Sequence, residues 1–294
     1  MNHKLQILDG SMGAELIARG HTPPTGLWSA KALLDVPQAV VQVHDDYIAA
    51  GASIITTNSY STIPSYLTKA DMAQSYLALT EVAAKLARQS ADTALSPVRV
   101  AGCLPPLDES YRHDLVPGDD ESREIYSELV KVLLPYADLY LCETMSCARE
   151  AANASYAART FDPEKPLWVA WTLHETPGMG LRSEESLQQA LEAVMPFEPD
   201  AFLFNCTSPS AICAGIETLA ALTDKPIGAY PNSYHVPAGW TLDNDKPVEH
   251  RDMTQDDFIA FARECRDKGA SIIGGCCGVG PSHIDAMVKD FGLA

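Results

Sequence analysis

The sequence has no long hydrophobic run and comparatively few basic residues. No apolar stretch reaches the roughly 20 residues that span a bilayer. Residues 1–4 lead directly into a predicted strand, so no signal peptide is indicated. Lys and Arg number 21 against 39 Asp and Glu, which gives a net charge of −18. Because nucleic acids and anionic membrane surfaces attract basic patches, we expect neither as a partner.

Glycine motifs that bind nucleotides are also missing. No GxGxxG follows the first predicted strand and no GxxxxGK(S/T) occurs, so nucleotide-binding folds have no support. No low-complexity segment or linker divides the 294 residues, and one α/β barrel commonly takes about 250. We therefore expect a single domain over residues 1–294.

Eight cysteines are present without an export signal. We expect these thiols to be reduced and the protein to be cytoplasmic, because disulfides persist mainly in oxidising compartments. Clustered cysteines in such a chain favour a metal or catalytic site.

Apolar runs that end at turn residues alternate with helical patterns along the chain. The eight predicted strands cover 5–8, 53–57, 98–101, 139–142, 167–171, 201–204, 226–229 and 271–273. The predicted helices cover 11–19, 37–50, 71–94, 121–134, 148–160, 183–194, 208–222 and 254–268, with another starting near Pro281. Ser183 and Thr254 are the predicted N-caps of the helices that they open. This alternation predicts a parallel sheet, and eight units fit a (β/α)8 TIM barrel, with an open doubly wound sheet as the alternative.

Chemically unusual residues cluster at the carboxyl ends of the predicted strands. In a barrel these ends converge on the face where barrel enzymes perform their chemistry. We therefore expect the side chains to share one mouth. The residues are Asp9, Asn58, Cys103, Glu143, Asn205, Cys206, Cys276 and Cys277.

The paired cysteines of the segment 274–278, Gly-Gly-Cys-Cys-Gly, need a chemical explanation. Cys276 and Cys277 can reach one soft metal ion if the glycines permit a tight turn. Cys206 supplies a third thiolate, and three thiolates predict a Zn²⁺ site with one open position, as in catalytic zinc sites. The alternative is that all three are small core residues. The remaining thiols are interpreted as core or surface residues: Cys103, Cys142, Cys147, Cys213 and Cys265.

Three thiolates leave zinc with a net charge of about −1, which suits a thiol substrate better than the activation of water. Alkyl transfer to sulfur is the matching reaction class. Glu143 could accept hydrogen bonds from a substrate ammonium, and Asp9 could do the same or hold its loop. Trp28 and Tyr60 either pack a loop or surround an onium methyl donor through cation–π attraction.

These motifs resemble the homocysteine S-methyltransferase family, whose members are zinc-dependent, cobalamin-independent (β/α)8 barrels. The likeness runs from residues 8–13 to 274–278 and includes 27–30, 57–60, 143–144, 204–207 and 230–233. The resemblance implies that Cys206, Cys276 and Cys277 bind zinc and that homocysteine thiolate is the fourth ligand. It further implies that substrates are bound by Asp9, Glu143, Asn205, Trp28 and Tyr60.

The implied reaction transfers a methyl group from a small sulfonium or ammonium donor to homocysteine and gives methionine. No catalytic residue beyond the metal site is implied. An S-methylmethionine-like donor is favoured, but loop 104–112 differs from the glycine- and tyrosine-rich loop of the S-methylmethionine enzymes. S-adenosylmethionine, a betaine and a sulfonium propionate therefore stay open. A non-catalytic zinc- or thiol-binding barrel is the alternative function.

Overall fold

Eight of the ten strands in the part of the chain that the structure describes form one parallel sheet that closes on itself. The strands are β1 (Gln6–Ile7), β2 (Ile54–Thr56), β3 (Arg99–Leu104), β4 (Leu139–Met145), β5 (Leu167–Trp171), β6 (Ala201–Asn205), β7 (Ile227–Tyr230), β8 (Tyr234–His235), β9 (Glu249–His250) and β10 (Ala270–Ile273). The computed structural model describes residues 5–21, 27–237, 239–241, 246, 248–251 and 253–293. Residues 1–4, on which the signal-peptide prediction was based, lie outside these ranges.

The sheet order is β1-β10-β7-β6-β5-β4-β3-β2, and every neighbouring pair is parallel. A parallel bridge between Leu8 and Ile54 joins the two ends, and the Asp9 amide donates to the Ile54 carbonyl over 3.0 Å. The predicted (β/α)8 barrel is therefore confirmed, and an open sheet is excluded. Strands β8 and β9 form a separate antiparallel hairpin.

Helices surround the barrel between successive strands. They are α1 (Met12–Ala18), α2 (Ala30–Asp35), α3 (Pro37–Ala49), α4 (Pro64–Thr68), α5 (Tyr76–Thr93), α6 (Asp119–Leu133), α7 (Ala148–Phe161), α8 (Leu187–Val194), α9 (Pro209–Ala220), α10 (Gln255–Asp267) and α11 (Pro281–Asp290). Helices α2 and α4 were not predicted, because six and five residues are too short to show a helical period. Among the described residues, no helix is both long and apolar enough to cross a membrane.

The predicted N-cap Ser183 is wrong, and α8 begins after Ser186. The Ser186 hydroxyl accepts the Gln189 amide over 3.3 Å, and the Gln189 side chain accepts the Ser186 amide over 2.9 Å. This reciprocal capping box typically uses Gln or Glu three residues after the cap, which Ser186 has in Gln189 and Ser183 lacks. Thr254 is confirmed as the N-cap of α10, where Asp257 completes the same motif.

Alternation along the strands separates two apolar cores. In β4, Leu139 and Leu141 belong to the cluster inside the barrel, whereas Tyr140 and Cys142 pack in the cluster between sheet and helices. Because side chains alternate with a period of two, the next inward position of β4 is Glu143. A register shift between Cys142 and Met145 then interrupts the strand. The barrel therefore presents a carboxylate at the end of its apolar interior.

His44 in α3 is fully buried, and neither ring nitrogen has a hydrogen-bond partner among the described residues. Burial lowers the pKa of His44 to about 3. The unfolded chain therefore binds one more proton than the folded chain between about pH 3 and 6.5. Stability contributed by the neutral ring is present above pH 6.5 and is lost as the pH falls.

We expect the metal-free protein to lose about 2 kcal/mol of unfolding free energy between pH 7.5 and pH 5.0 through this histidine alone. Urea unfolding of the wild type and of His44→Leu at both pH values measures this loss of free energy. The variant should show a smaller loss, because it lacks the titrating ring. His113→Leu, which removes an exposed histidine, is the control and should keep the wild-type pH dependence. Equal pH dependence in wild type and His44→Leu would contradict the assignment.

Candidate metal centre and substrate cavity

Three cysteine sulfurs meet at the carboxyl ends of β6 and β10. The Sγ atoms of Cys206, Cys276 and Cys277 all lie within 4.8 Å of one another. Cys206 Sγ is 2.9 Å from Cys276 Sγ and 3.9 Å from Cys277 Sγ. A tetrahedral zinc with bonds of about 2.3 Å separates its sulfur ligands by about 3.8 Å. The structure therefore brings the three predicted sulfurs together. The Cys206–Cys277 distance matches the zinc spacing, and Cys206 and Cys276 would have to separate by about 0.9 Å to bind one such ion.

Glycines allow the paired cysteines to turn at this position. A Cβ atom on Gly274 would lie 2.4 Å from the Leu8 Cβ, so β10 packs closely against the first strand. The Val279 amide donates to the Cys276 carbonyl over 3.0 Å, which closes a four-residue turn. Gly278 in that turn has a φ of +82° and packs against Ser233. Only glycine combines this backbone angle with the available space.

Four residues of the cavity wall hold left-handed backbone angles that non-glycine residues rarely adopt. They are Trp28 (φ +46°), Tyr111 (φ +68°), Thr144 (φ +61°) and Cys206 (φ +52°). Each such residue costs on the order of 1–3 kcal/mol and persists only where the surroundings enforce it. The closed barrel therefore holds these loops in one geometry around the sulfurs.

Asp9 follows β1 and accepts two hydrogen bonds from Thr56 of β2. The Thr56 amide lies 2.7 Å from Oδ2, and its hydroxyl lies 3.1 Å from Oδ1. Burial raises the pKa of Asp9 to about 8, against the opposing effect of the Thr56 amide, and the nearby Glu143 carboxylate raises it further. Asp9 therefore both holds the strand ends together and offers a carboxyl group to the cavity.

Glu143 lines the same cavity as the three sulfurs. Burial raises the pKa of Glu143 to about 7. The Cys103 thiol donates to Glu143 Oε2 over 3.2 Å, and Tyr230 lies close enough to favour the ionised form. A cationic group placed in the cavity would relieve the cost of ionising this carboxylate.

Asn205 is fully buried, and it does not line the cavity among the described residues. Its Oδ1 accepts the Thr144 amide over 3.0 Å, and its Nδ2 donates to the Thr144 hydroxyl over 2.7 Å. Asn205 thereby fixes the strained residue that follows Glu143. The geometry makes it a support of the carboxylate and gives it no direct access to a substrate.

Aromatic side chains form the opposite wall. Trp28 and Tyr60 meet edge to face with ring centroids 6.2 Å apart. The Tyr60 hydroxyl bonds the Ser110 hydroxyl over 2.7 Å, and the Asn58 amide donates to the Ser29 carbonyl next to Trp28. A Cβ on Gly13 would lie 2.9 Å from the Trp28 indole. The predicted pair therefore shares one wall, held by both neighbouring loops.

The cavity has a volume of about 540 Å³ and an acidic, aromatic lining. Asp9, Glu143 and the three thiols supply its acidic groups, and among the described lining residues only His250 carries a basic side chain. Such a lining attracts cations both by charge and through aromatic faces.

Three contacts at the site were not predicted. Cys103 was interpreted as a core or surface thiol, yet it bonds Glu143. Tyr230 lies at the end of β7, so the rule that placed the other strand-end residues at the mouth could have found it. The Tyr111 hydroxyl lies 3.0 Å from Cys206 Sγ. No local pattern indicated Tyr111, because its position depends on the path of a long loop.

Comparisons with known proteins agree with this geometry. The family model described as Homocysteine S-methyltransferase matches residues 6–291. Homocysteine S-methyltransferase YbgG of Bacillus subtilis is 30% identical over 97% of this chain and 94% of its own length. Homocysteine S-methyltransferase of Escherichia coli is 31% identical over 96% of this chain and 93% of its own.

A solved structure gives the same result. The metallated form of the homocysteine methyltransferase MmuM from Escherichia coli superposes with a TM-score of 0.83 at 27% identity, covering 98% of this chain and 97% of the other. The sequence likeness and the shared fold both extend over nearly the whole chain. The chain belongs to the homocysteine S-methyltransferase family.

Proposed function

We propose that this enzyme transfers a methyl group from a small sulfonium or ammonium donor to the thiolate of homocysteine and releases methionine. Cys206, Cys276 and Cys277 would hold the Zn²⁺ that the reaction needs. The observation that carries the proposal is the meeting of three sulfurs and two carboxyl groups in one cavity. The named relatives are homocysteine S-methyltransferases, and the solved MmuM structure is of a metallated form.

The chain's own residues supply positioning and electrostatics. A bound Zn²⁺ would keep the substrate thiol ionised at neutral pH. Glu143 binds the homocysteine ammonium, and the aromatic wall of Trp28 and Tyr60 holds the donor cation. The new carbon–sulfur bond forms as the donor's carbon–sulfur or carbon–nitrogen bond breaks, and the leaving group departs with that electron pair. The homocysteine thiol gives up its proton to solvent as it binds the metal. The methyl transfer itself then moves no proton, so orienting the reactants is the main contribution of the protein.

The two carboxyl groups have different roles in this proposal. With a pKa near 7, Glu143 ionises readily when an ammonium approaches. Both oxygens of Asp9 already accept hydrogen bonds from Thr56, whereas among the described residues Glu143 accepts only the Cys103 thiol, through Oε2. We therefore assign the ammonium contact to Glu143. Asp9 maintains the first loop, and Asn205 holds Glu143 in place through Thr144.

The donor class follows from the cavity lining. Its acidic and aromatic side chains suit an onium group, and an S-methylmethionine-like sulfonium is our first choice. A non-catalytic zinc- or thiol-binding barrel has no support from the relatives, which are named as methyltransferases. The single domain over 1–294 and the cytoplasmic location stay predictions.

Metal analysis followed by a donor panel tests the function. The wild type should contain one zinc and form methionine from homocysteine with one of S-methylmethionine, S-adenosylmethionine, betaine or dimethylsulfoniopropionate. Cys277→Ala should lose both zinc and turnover, because two thiolates remain where three are needed. Cys213→Ala removes a buried thiol of α9 outside the cavity and should keep both. Full turnover by metal-free Cys277→Ala would refute the proposal.

Glu143→Gln should weaken homocysteine binding about 10–100-fold while leaving the zinc content unchanged, because it removes a charged hydrogen-bond acceptor. Isothermal titration of the zinc-loaded protein measures the affinity. Glu150→Gln is the matched control. Glu150 is buried and also has a pKa raised to about 7, but it lies outside the cavity and accepts the Ser146 amide. A parallel loss of zinc and homocysteine in Glu143→Gln would show that its role is structural.

Homocysteine binding should also weaken below pH 7. The raised pKa of Glu143 means that the carboxylate loses its charge as the pH falls through about 7, whereas the ammonium contact needs that charge. The dissociation constant should rise by up to about tenfold for each pH unit below 7. The same titration on Glu143→Gln isolates this contribution from other ionisations. An identical pH dependence in both proteins would exclude Glu143 as the ammonium acceptor.

A further inference from the structure

Tyr111 reaches the candidate metal centre from the same loop whose Ser110 holds Tyr60. It lies between β3 and α6, and its hydroxyl is 3.0 Å from Cys206 Sγ. A phenol keeps its proton at neutral pH, so the hydroxyl donates and the sulfur accepts. The residue holds a φ of +68°, which a tyrosine adopts only when its surroundings enforce it. The loop is therefore held in an unfavourable conformation with a hydrogen-bond donor against one sulfur.

Arg182 packs against the face of the Tyr111 ring. Its guanidinium carbon lies 4.9 Å from the centroid of the Tyr111 ring, and Trp240 approaches the same ring at 6.0 Å. The Arg182 side chain is only 8% exposed, and its Nε has no hydrogen-bond partner among the described residues. A buried cation is costly unless it is compensated. Part of that compensation comes from the ring face, to which the cation is attracted.

Glu175 fixes the cation in place. Arg182 Nη2 donates to Glu175 Oε1 over 2.9 Å, and Arg251 Nη2 donates to Glu175 Oε2 over the same distance. The Arg251 amide donates to the Ser233 carbonyl over 2.7 Å, and the Ser233 amide donates to the Cys277 carbonyl over 2.8 Å. A continuous series of contacts therefore connects Cys206 with Cys277. It runs through Tyr111, Arg182, Glu175, Arg251 and Ser233.

Charge explains why such a network belongs at this position. Three thiolates on a divalent ion carry a net charge of about −1, and a substrate thiolate would make it about −2. The cavity wall adds two carboxyl groups and has only His250 as a basic lining residue among those described. A hydrogen bond to Cys206 lowers the charge on that sulfur, and a cation on the ring makes the phenol a stronger donor.

We propose that Tyr111, held by Arg182, is a positioning residue whose hydrogen bond to Cys206 sets the charge of the metal–thiolate centre. This rests on the proposed metal site. The bond stabilises Cys206 as a metal-bound thiolate and reduces the electron density that it passes to the metal. Arg182 makes no direct contact with the sulfurs and acts mainly through the ring of Tyr111, and its charge also acts on Cys206 at longer range.

The cobalt(II)-substituted protein reports on this bond without turnover. A hydrogen bond lowers the energy of the filled sulfur orbitals, so its removal in Tyr111→Phe should move the thiolate-to-cobalt charge-transfer band to lower energy. Chelator competition should show metal affinity reduced about 10–100-fold, as for other partners of metal ligands. Tyr136→Phe is the control, because its hydroxyl bonds Glu81 on the outer helices, and both readouts should stay at their wild-type values.

A double-mutant cycle separates Arg182 from Tyr111. Arg182→Met should shift the band in the same direction as Tyr111→Phe, and it should add a clearly smaller shift in the Tyr111→Phe background than in the wild type. If Tyr111→Phe does not fold, Tyr111→3-fluorotyrosine serves instead, since its more acidic hydroxyl must move the band to higher energy.

Each other outcome overturns the proposal. An unchanged band in folded Tyr111→Phe would show that the hydroxyl does not tune the sulfur, although the metal site itself would stand. An equal effect of Arg182→Met in both backgrounds would show that the cation does not act through the ring. A wild-type protein with no thiolate-to-cobalt band would refute the metal site and this inference together.

Discussion

The site depends on one strip of backbone at the end of β7. The Cys206 amide donates to the Tyr230 carbonyl over 3.1 Å, and the Cys276 amide donates to the Pro231 carbonyl over 2.9 Å. Strand β7 lies between β6 and β10 in the sheet, so it spaces the two segments that carry the sulfurs. Because the barrel closes, neither segment can move away without breaking ladder hydrogen bonds, and sulfurs 70 residues apart in sequence are held at 2.9 Å.

This constraint places three sulfurs and two carboxyl groups, all of which can carry negative charge, close together. The residues around them reduce the resulting repulsion in two ways. Asp9 and Glu143 have raised pKa values because burial disfavours their charged forms. They therefore hold protons at neutral pH for part of the time and are ready to ionise against a cation. The Tyr111 hydroxyl adds a hydrogen bond to one sulfur. The cavity is thus less negative than its residue types suggest, and a cationic ligand would restore the full charge.

Most of the fold could be predicted from the sequence because parallel barrel strands are buried on both faces and appear as short apolar runs. Every predicted strand overlaps one of the eight in the barrel, and the polar residues at strand ends line or support one cavity. The rest depends on contacts between distant segments. The ring of Tyr111 packs against Arg182, 71 positions further along (182 − 111). The cap of α8 is a different case, because Ser186 with Gln189 three residues later is a local signal that the sequence carries and Ser183 lacks.

The charges of the proposed reaction explain the apolar part of the cavity. An anionic thiolate and a cationic donor become two neutral thioethers when a sulfonium is used, so charge is lost along the reaction path. A low-polarity environment favours a transition state that is less charged than the reactants. Trp28 and Tyr60 attract the donor while its charge is intact and offer little to the neutral products. The same wall therefore favours binding, reaction and release in turn, with no side chain needed to move a proton.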